Sequence, residues 1–377
     1  MSQTSVEKPR HSRKGLYIPF ILVGIGLALW TGWWFYLTHE VQSQLRTRLA
    51  QLEASGWTVS YDRMGASGWP AHARISLQNL EVVAPSGHGL RSPEIAAEAT
   101  SYNPTRWVIG AQQGLTLLRA EKGETAVSGE AIRMSLTGLR QRWPNVAMEM
   151  VAPVFVPAEG AQPFPLSSAK LIQLYMRPHV GASVDPATAT EPATAASPTT
   201  STTTTSGTQD DVDVMFRLVE AKGRVGGPVE GFAQSGELTL QIEAVIEKAG
   251  ALRQPATEAG LLAAWTASGG KFTTVRGEMR GGISHALLTS PELTASEKGQ
   301  LEGEVHFKAE KPLAAIVGLA GAQSGTPVDR AAAARAAAAG PQGGQGEDGQ
   351  DIELSVLFRN GRTYLGPFAL APAPQLF

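Results

Sequence analysis

The chain of 377 residues contains no cysteine. Disulfides, thiolate metal ligands and cysteine nucleophiles are therefore excluded, and a folded body must be stabilised by packing and sheet hydrogen bonds. The chain also lacks a net charge of one sign, because 32 basic side chains balance 34 acidic ones. Nucleic-acid-binding proteins usually carry a basic stripe. None is visible beyond the N-terminal flank, so we predict no nucleic-acid partner.

Motifs for catalysis or cofactor binding are equally scarce. No two of the seven histidines have His-x₃-His spacing, and only His306 shares a predicted strand face with two carboxylates, as on a solvated face. The glycine-rich segment 223–227 lacks the lysine of a phosphate loop. Two Ser-x-x-Lys spacings begin at Ser167 and Ser268, but neither serine opens a predicted helix, as the acyl-transfer motif requires. We predict no catalytic, cofactor-binding or metal-binding residues and no enzymatic activity.

The longest apolar run lies near the N-terminus. Residues 16–37 carry no charged side chain and span roughly 33 Å as a helix, against about 30 Å of bilayer hydrocarbon. We therefore predict a transmembrane helix over 15–37, preceded by a disordered cytoplasmic tail over 1–14. Aromatic rings prefer the headgroup zone. The candidate membrane-interface or lipid contacts are Trp30, Trp33, Trp34, Tyr36 and, in a later turn, Trp69.

The charges beside this helix predict its orientation. Four basic residues between Lys8 and Lys14 precede it, opposed only by Glu7. Positive flanks stay in the cytoplasm, so the body is expected on the far side, although Arg46 and Arg48 weaken the asymmetry. A cleaved signal peptide is the alternative, but it would be shorter and end in an Ala-x-Ala-like site. We predict an uncleaved single-pass anchor.

Beyond the anchor, the hydrophobic period changes from helical to extended. Apolar residues from Val41 to Leu52 follow a helical stripe, which Ser55-Gly56 ends. A change of phase near Gln78-Asn79 predicts a β-bulge, and Asn360-Gly361 predicts a hairpin turn. Period-two alternation predicts strands at 57–61, 75–82, 94–101, 115–119, 131–139, 147–155, 169–177, 212–219, 237–244, 271–279, 282–288, 301–309, 352–358 and 363–365. Helices are predicted at 257–267, 312–320 and 328–339.

Alternating strands are typical of antiparallel sheets with one face on a core. We therefore predict a mainly β fold (a β-rich α+β class), in which the transmembrane helix precedes a curved antiparallel sheet with a few covering helices. Two low-complexity segments divide the body, because they hold too few large apolar residues to fold. The predicted units are a first β-rich part with its leading helix at 38–180, a Thr/Ala/Pro-rich linker at 181–211, a second β-rich part at 212–320, a Gly/Ala-rich insert at 321–350 and a closing hairpin with tail at 351–377.

Several short motifs, in this order, resemble the bacterial family called domain of unknown function 2125. The resemblance covers nearly the whole chain from the anchor onward. The family has no established activity, so it implies no catalytic residues. The motifs are Ser55–Tyr61, Gly65–Pro70, Leu80–Pro85, Ser101–Pro104, Leu261–Gly270 and Asn360–Pro374.

More loosely, the plan is similar to that of AsmA-like envelope proteins. This fold-level analogy implies an inner-membrane helix, a periplasmic β body and a part in lipid traffic or outer-membrane upkeep. Our leading hypothesis is a non-enzymatic periplasmic protein, anchored in the inner membrane, that handles lipid along an apolar sheet face. The bilayer is the expected partner, with a lipid or another envelope protein as a second. The alternatives are an assembly partner acting through strand edges and a hydrolase whose site is distant in sequence. Alternation predicts a filled core and an open groove equally.

Overall fold

The computed structural model describes residues 14–180, 210–234, 236–253, 261–310 and 352–376. Most of the predicted linker, the whole Gly/Ala-rich insert and the helices predicted at 312–320 and 328–339 lie outside these residues. So does the predicted cytoplasmic tail, apart from Lys14.

One helix, α1 (Lys14–Ala54), includes both the predicted transmembrane segment and the helical stripe that follows it. Residues 17–29 are exposed along its apolar part. Gly56, with φ of 91°, follows the helix end in the left-handed region that favours glycine. The predicted continuous helix and its stop are confirmed, so no flexible link separates the apolar segment from the body.

The described residues form a single antiparallel sheet of twenty strands. The strands are β1 (Thr58–Ser60), β2 (Arg63–Ser67), β3 (His72–Val83), β4 (His88–Thr100), β5 (Asn103–Gly110), β6 (Leu115–Arg119), β7 (Glu124–Ser128), β8 (Ala131–Thr137), β9 (Asn145–Val151), β10 (Val154–Pro157), β11 (Leu166–Ser168), β12 (Leu171–Pro178), β13 (Val212–Gly223), β14 (Leu238–Ile246), β15 (Phe272–Gly281), β16 (Ser284–Ala295), β17 (Leu301–Glu310), β18 (Ile352–Arg359), β19 (Arg362–Leu365) and β20 (Phe368–Pro372). The predicted mainly β, antiparallel class is confirmed.

Short strands lie end to end in the first half of the sheet. β4 pairs with β5 at one end and with β6 at the other, and these continue into β8 and β7, then β9 and β10, then β12 and β11. β13 pairs with both β11 and β12, and from there to β20 each strand pairs with the next. The β12–β13 pairing joins the two predicted β-rich parts into one sheet.

Three sequence expectations need correction. The strand predicted at 147–155 is two strands, β9 and β10, because Ala152 takes a φ of 47° and Pro153 has no N–H to donate. Alternation did not predict β2, yet Gly65 to Ser67 of the motif Gly65–Pro70 belong to it, so the turn that holds Trp69 begins only after Ser67. Asn79 does take a φ of 51°, but β3 keeps one register with β4 on both sides of it. No bulge forms there, because the opposite residue, Pro93, also lacks a ladder N–H.

The hairpin prediction is confirmed. Asn360 and Gly361 have φ of 52° and 71° and join β18 to β19. Positive φ at both central residues belongs to the type I′ turn, whose twist matches that of the strands, and Asn-Gly tolerates this conformation.

Two short helices cover the sheet, α2 (Pro228–Phe232) and α3 (Leu261–Ala267). α3 is the described part of the helix predicted at 257–267. It places Trp265 in a site with no solvent exposure, where the indole contacts Phe272 and donates to the Glu247 carbonyl at 2.8 Å. The chain passes so close that a Cβ on Gly270 would lie 2.2 Å from the Trp265 Nε1. Glycine is required there for space.

Candidate functional site

A row of apolar residues and one glycine, here called the apolar stripe, crosses the sheet from β3 to β18 without a polar residue. Directly opposed residues in antiparallel strands lie on the same face, so the pairing register alone defines the row. In order of pairing the stripe comprises Ile75, Ala97, Ile109, Met134, Met148, Leu174, Phe216, Ile242, Gly277, Leu288, Phe307 and Leu354.

The neighbouring residues on the same strands form a polar row on the opposite face. Pairing again defines it: Arg133, Glu149, Gln173, Arg217, Gln241, Glu278, Lys308 and Glu353, with the exposed Leu287 as the one apolar member between Glu278 and Lys308. The pKa of Glu278 lies below its ordinary value, mainly because Arg280 donates hydrogen bonds to its carboxylate, with His285 adding another. The two faces of the sheet therefore differ sharply in polarity at the level of the stripe.

The stripe is most open in its middle. Ile109, Met134, Met148 and Leu174 are half-buried and belong to none of the buried clusters that the described residues form. By contrast, Ile75 and Leu288 nearer the ends are almost fully buried. The middle of the stripe therefore differs from a filled core.

Packed clusters flank this open middle on both sides. On one side of the stripe, the residues two positions further along each strand pack against Val127 of β7 and Phe155 of β10. This first wall includes Ile132, Met150, Ile172 and Leu218. On the other side, the corresponding row packs against Trp143 and Ala249. This second wall includes Met176 and Val214. The half-buried residues thus form a floor between two packed walls.

Methionine is concentrated on this face. Of the chain's 8 methionines, those on the stripe or its walls are Met134, Met148, Met150, Met176 and Met279. An unbranched, polarisable side chain with three rotatable bonds adapts to irregular apolar partners. Such a surface suits a flexible apolar ligand better than one of fixed shape.

The β3 end of the stripe lies against α1. Leu37, Val41 and Leu45 of the helix pack on the cluster that contains Ile75 and Trp107. Leu37 is the last residue of the long apolar segment, and Val41 and Leu45 lie in the helical turns that follow it. The stripe therefore begins where the helix meets the body.

Three tryptophans, here called the tryptophan clamp, join α1 to two turns of the sheet. The indole N–H groups of Trp30, Trp33 and Trp34 donate to the carbonyls of Pro70, Ser101 and His72, at 2.9, 3.1 and 2.7 Å. Three sequence-predicted interface residues therefore contact protein through their polar atoms. The other two, Tyr36 and Trp69, are exposed.

Replacing Trp34 by phenylalanine is expected to loosen the helix from the body. Trp34 is 6% exposed, and the change leaves the His72 carbonyl without its indole donor at a partly buried position, costing about 1–3 kcal/mol. Amide hydrogen exchange over 37–45 should accelerate about fivefold or more.

Tyr36→Phe is the matched control, because it removes a polar hydrogen from an exposed ring on the same helix turn. Exchange in Tyr36→Phe should stay at the level of the unmodified chain. Equal exchange in the two variants would show that the indole bond does not hold the helix.

A second concavity, of about 830 Å³, opens at the other side of the sheet. Its charged residues are paired with one another: Arg177 and His179 with Asp213, and Arg276 with Glu243. Such pairs have the contacts expected of structural ion pairs. Within the part of the chain that the structure describes, no three His, Asp or Glu side chains are placed to hold a metal ion.

The serines of the two Ser-x-x-Lys spacings make backbone contacts. Ser167 Oγ donates to the carbonyls of Lys222 and Gly223, and Ser268 Oγ donates to that of Trp265. The lysines of the two spacings pair with glutamates. His306 Nδ1 lies 3.0 Å from Ser355 Oγ on an exposed part of β17.

These features define a class: a mainly β protein with a large antiparallel sheet and one N-terminal helix long and apolar enough to cross a membrane. The chain belongs to the bacterial family described as "Uncharacterized protein conserved in bacteria (DUF2125)", with a match over residues 34–374. The family predicted from the sequence motifs is thus confirmed. Among curated proteins and among solved structures, nothing matches the chain significantly.

Proposed function

We propose that this protein is a non-enzymatic, single-pass periplasmic protein, anchored in the bacterial inner membrane, that holds lipid acyl chains along the apolar stripe in the service of envelope maintenance. The observation that carries the proposal is the stripe itself. It is continuous from β3 to β18, and its middle is half-buried between two packed walls. An ordinary sheet core would be covered along its whole length.

The anchor and orientation rest on α1 and its flank. The helix has the length and composition of a membrane span, and the basic residues from Lys8 to Lys14 favour a cytoplasmic N-terminus. Because α1 continues into the body without a break, the stripe begins close to the bilayer surface. A lipid acyl chain that leaves the membrane beside the helix has only a short distance to cross before it meets apolar side chains.

The dimensions of the stripe suit an acyl chain. Adjacent strands lie 4.7–4.9 Å apart, so the floor from β5 to β13 extends about 19 Å. Ten methylene groups that left the bilayer for water would lose about 8 kcal/mol at roughly 0.8 kcal/mol each, and contact with the floor avoids much of this loss. The entropy lost when the acyl chain associates and becomes ordered offsets much of this free energy. Reversible binding, as a carrier requires, is the expected result.

Site-specific photocrosslinking in cells tests the proposal. A photoreactive amino acid at Met134 faces the floor, and one at the adjacent Arg133 of β8 faces the opposite side, where the native side chain is 57% exposed. We expect lipid adducts, identified by mass spectrometry, at position 134 and few at position 133. Absence of lipid at both positions, or equal yields, would refute the acyl-chain function.

A second candidate function, an assembly partner that binds through a strand edge, has one supporting observation. In the part of the chain that the structure describes, β2 pairs with β3 only, and such an edge can accept a strand from another protein. A photoreactive amino acid at Arg63, which is exposed, should then give one dominant protein adduct. Many weak adducts with different proteins at position 63 would contradict this role.

A further inference from the structure

The tryptophan clamp sets the depth of the sheet relative to the membrane. A helix needs about 20 residues to cross the hydrocarbon layer, so a span that begins at Leu16 ends near Phe35. The clamp residues lie inside that span, yet Trp30 contacts the turn at 68–71, Trp34 contacts His72 at the start of β3 directly after it, and Trp33 contacts the turn at 101–102. These two turns, here called the tip, must therefore lie at the level of the last helical turn of the span.

The opposite arrangement, with the tip in bulk water, leaves too short an apolar segment. If Trp30 were already outside the hydrocarbon, residues 16–29 would have to span it with about 21 Å of helix against about 30 Å of lipid. Such a mismatch costs a fraction of a kcal/mol for each ångström. Because the clamp holds the tip to the helix, the helix cannot slide deeper without taking the tip along.

The side chains of the tip have the chemistry of a membrane interface. Trp69 is 49% exposed and Tyr102 is 73% exposed. On the adjacent helix, Trp33 and Tyr36 are also exposed. Aromatic rings with one polar atom are the residues enriched at the headgroup level. These four residues lie on three separate segments, α1 and the two turns, which the clamp brings together.

We propose that the tip of the β body is seated in the headgroup layer of the periplasmic leaflet, with Trp69 and Tyr102 as its aromatic anchors. The partner is the lipid surface itself. The inference rests on the proposed role of α1 as a membrane anchor and adds the depth and contact residues of the body. It places the β3 end of the apolar stripe directly beside the lipid from which a chain would be taken.

Depth-dependent fluorescence quenching tests this inference. The chain has no cysteine, so a single cysteine can be labelled at Tyr102→Cys in the full chain, reconstituted in vesicles of phosphatidylethanolamine and phosphatidylglycerol. Ile283→Cys is the matched control, because Ile283 is an exposed apolar residue in the distant β15–β16 turn. Spin-labelled lipid with the label near the headgroup should quench the dye at position 102 about threefold more than at position 283.

Equal quenching at the two positions, in chain that resists alkaline extraction from the vesicles, would overturn the seating of the tip and leave the anchor intact. Extraction of the chain by alkali would overturn the anchor, and with it the proposed function. Ala71→Cys, an exposed residue in the other turn of the tip, is expected to be quenched as strongly as Tyr102→Cys. Quenching at position 102 alone would contradict the seating of both turns.

Discussion

Leu174→Glu is expected to reduce the lipid that co-purifies with the full chain by roughly tenfold, about 1.4 kcal/mol in binding free energy. Leu174 lies in the middle of the floor, paired with Met148 on one side and Phe216 on the other. A carboxylate there must stay hydrated, because transfer of an unpaired charge into apolar surroundings is costly. Retained water would interrupt the apolar stripe where it crosses β12. Lipid extraction and mass spectrometry of the detergent-purified chain measure the loss.

Tyr175→Glu is the control, because residue 175 is the next residue of β12, faces the opposite side and is 37% exposed. It should retain lipid at the level of the unmodified chain. Leu174→Met, which preserves apolar character and nearly the same volume, should do so as well. The acyl-chain role fails if Leu174→Glu keeps its lipid, or if all three variants lose it equally. Thermal unfolding of each variant confirms that the sheet is intact.

Trp265→Ala is expected to lower the free energy of unfolding by about 3–5 kcal/mol, a typical cost for truncating a fully buried large aromatic side chain. The change opens a cavity beside Phe272 and leaves the Glu247 carbonyl without its indole donor. Since domains are stable by only about 5–15 kcal/mol in total, this is the largest stability effect that we expect from a single substitution. Denaturant titration of the purified full chain measures it.

Trp69→Ala is the matched control for this prediction, because the same truncation there removes a half-exposed ring. In detergent, Trp69→Ala should lower the free energy of unfolding by well under 1 kcal/mol, as is usual at surface sites. Gly270→Ala should also lower the free energy of unfolding, because the new methyl group would overlap the Trp265 indole. A Trp265→Ala chain no less stable than Trp69→Ala would contradict the assignment of Trp265 to the core.

Local pattern predicted the elements that are long or have distinctive turn chemistry. α1 follows from an uncharged apolar run and a helical stripe, and the β18–β19 hairpin follows from Asn360-Gly361. β8 was placed closely, because its alternation is uninterrupted over seven residues. β2, β5, β7, β11 and β20 were missed: β5 begins at Asn103-Pro104, a turn-like pair, and the others have three to five residues, over which alternation carries little information.

The candidate site was only partly predictable. Alternation identified which side chains share a face within one strand, but it carries no information about which residue of the next strand lies opposite. The apolar stripe depends on eleven such pairings, including that of β5 with β8 and that of β12 with β13. The hydrogen bonds of the tryptophan clamp were not predictable for the same reason, since no local rule places Trp34 beside the carbonyl of His72.

The sequence by itself determined the apolar helix, the two-faced strands, the absence of cysteine chemistry and the family, because each depends on residue type and local spacing. Only the tertiary structure decided the register that aligns apolar residues from Ile75 to Leu354, the half-buried floor between two walls and the clamp that holds α1 to the sheet. These depend on pairings between residues far apart in the chain. Long-range hydrogen bonds and packing select them, and many alternative pairings share the same local pattern.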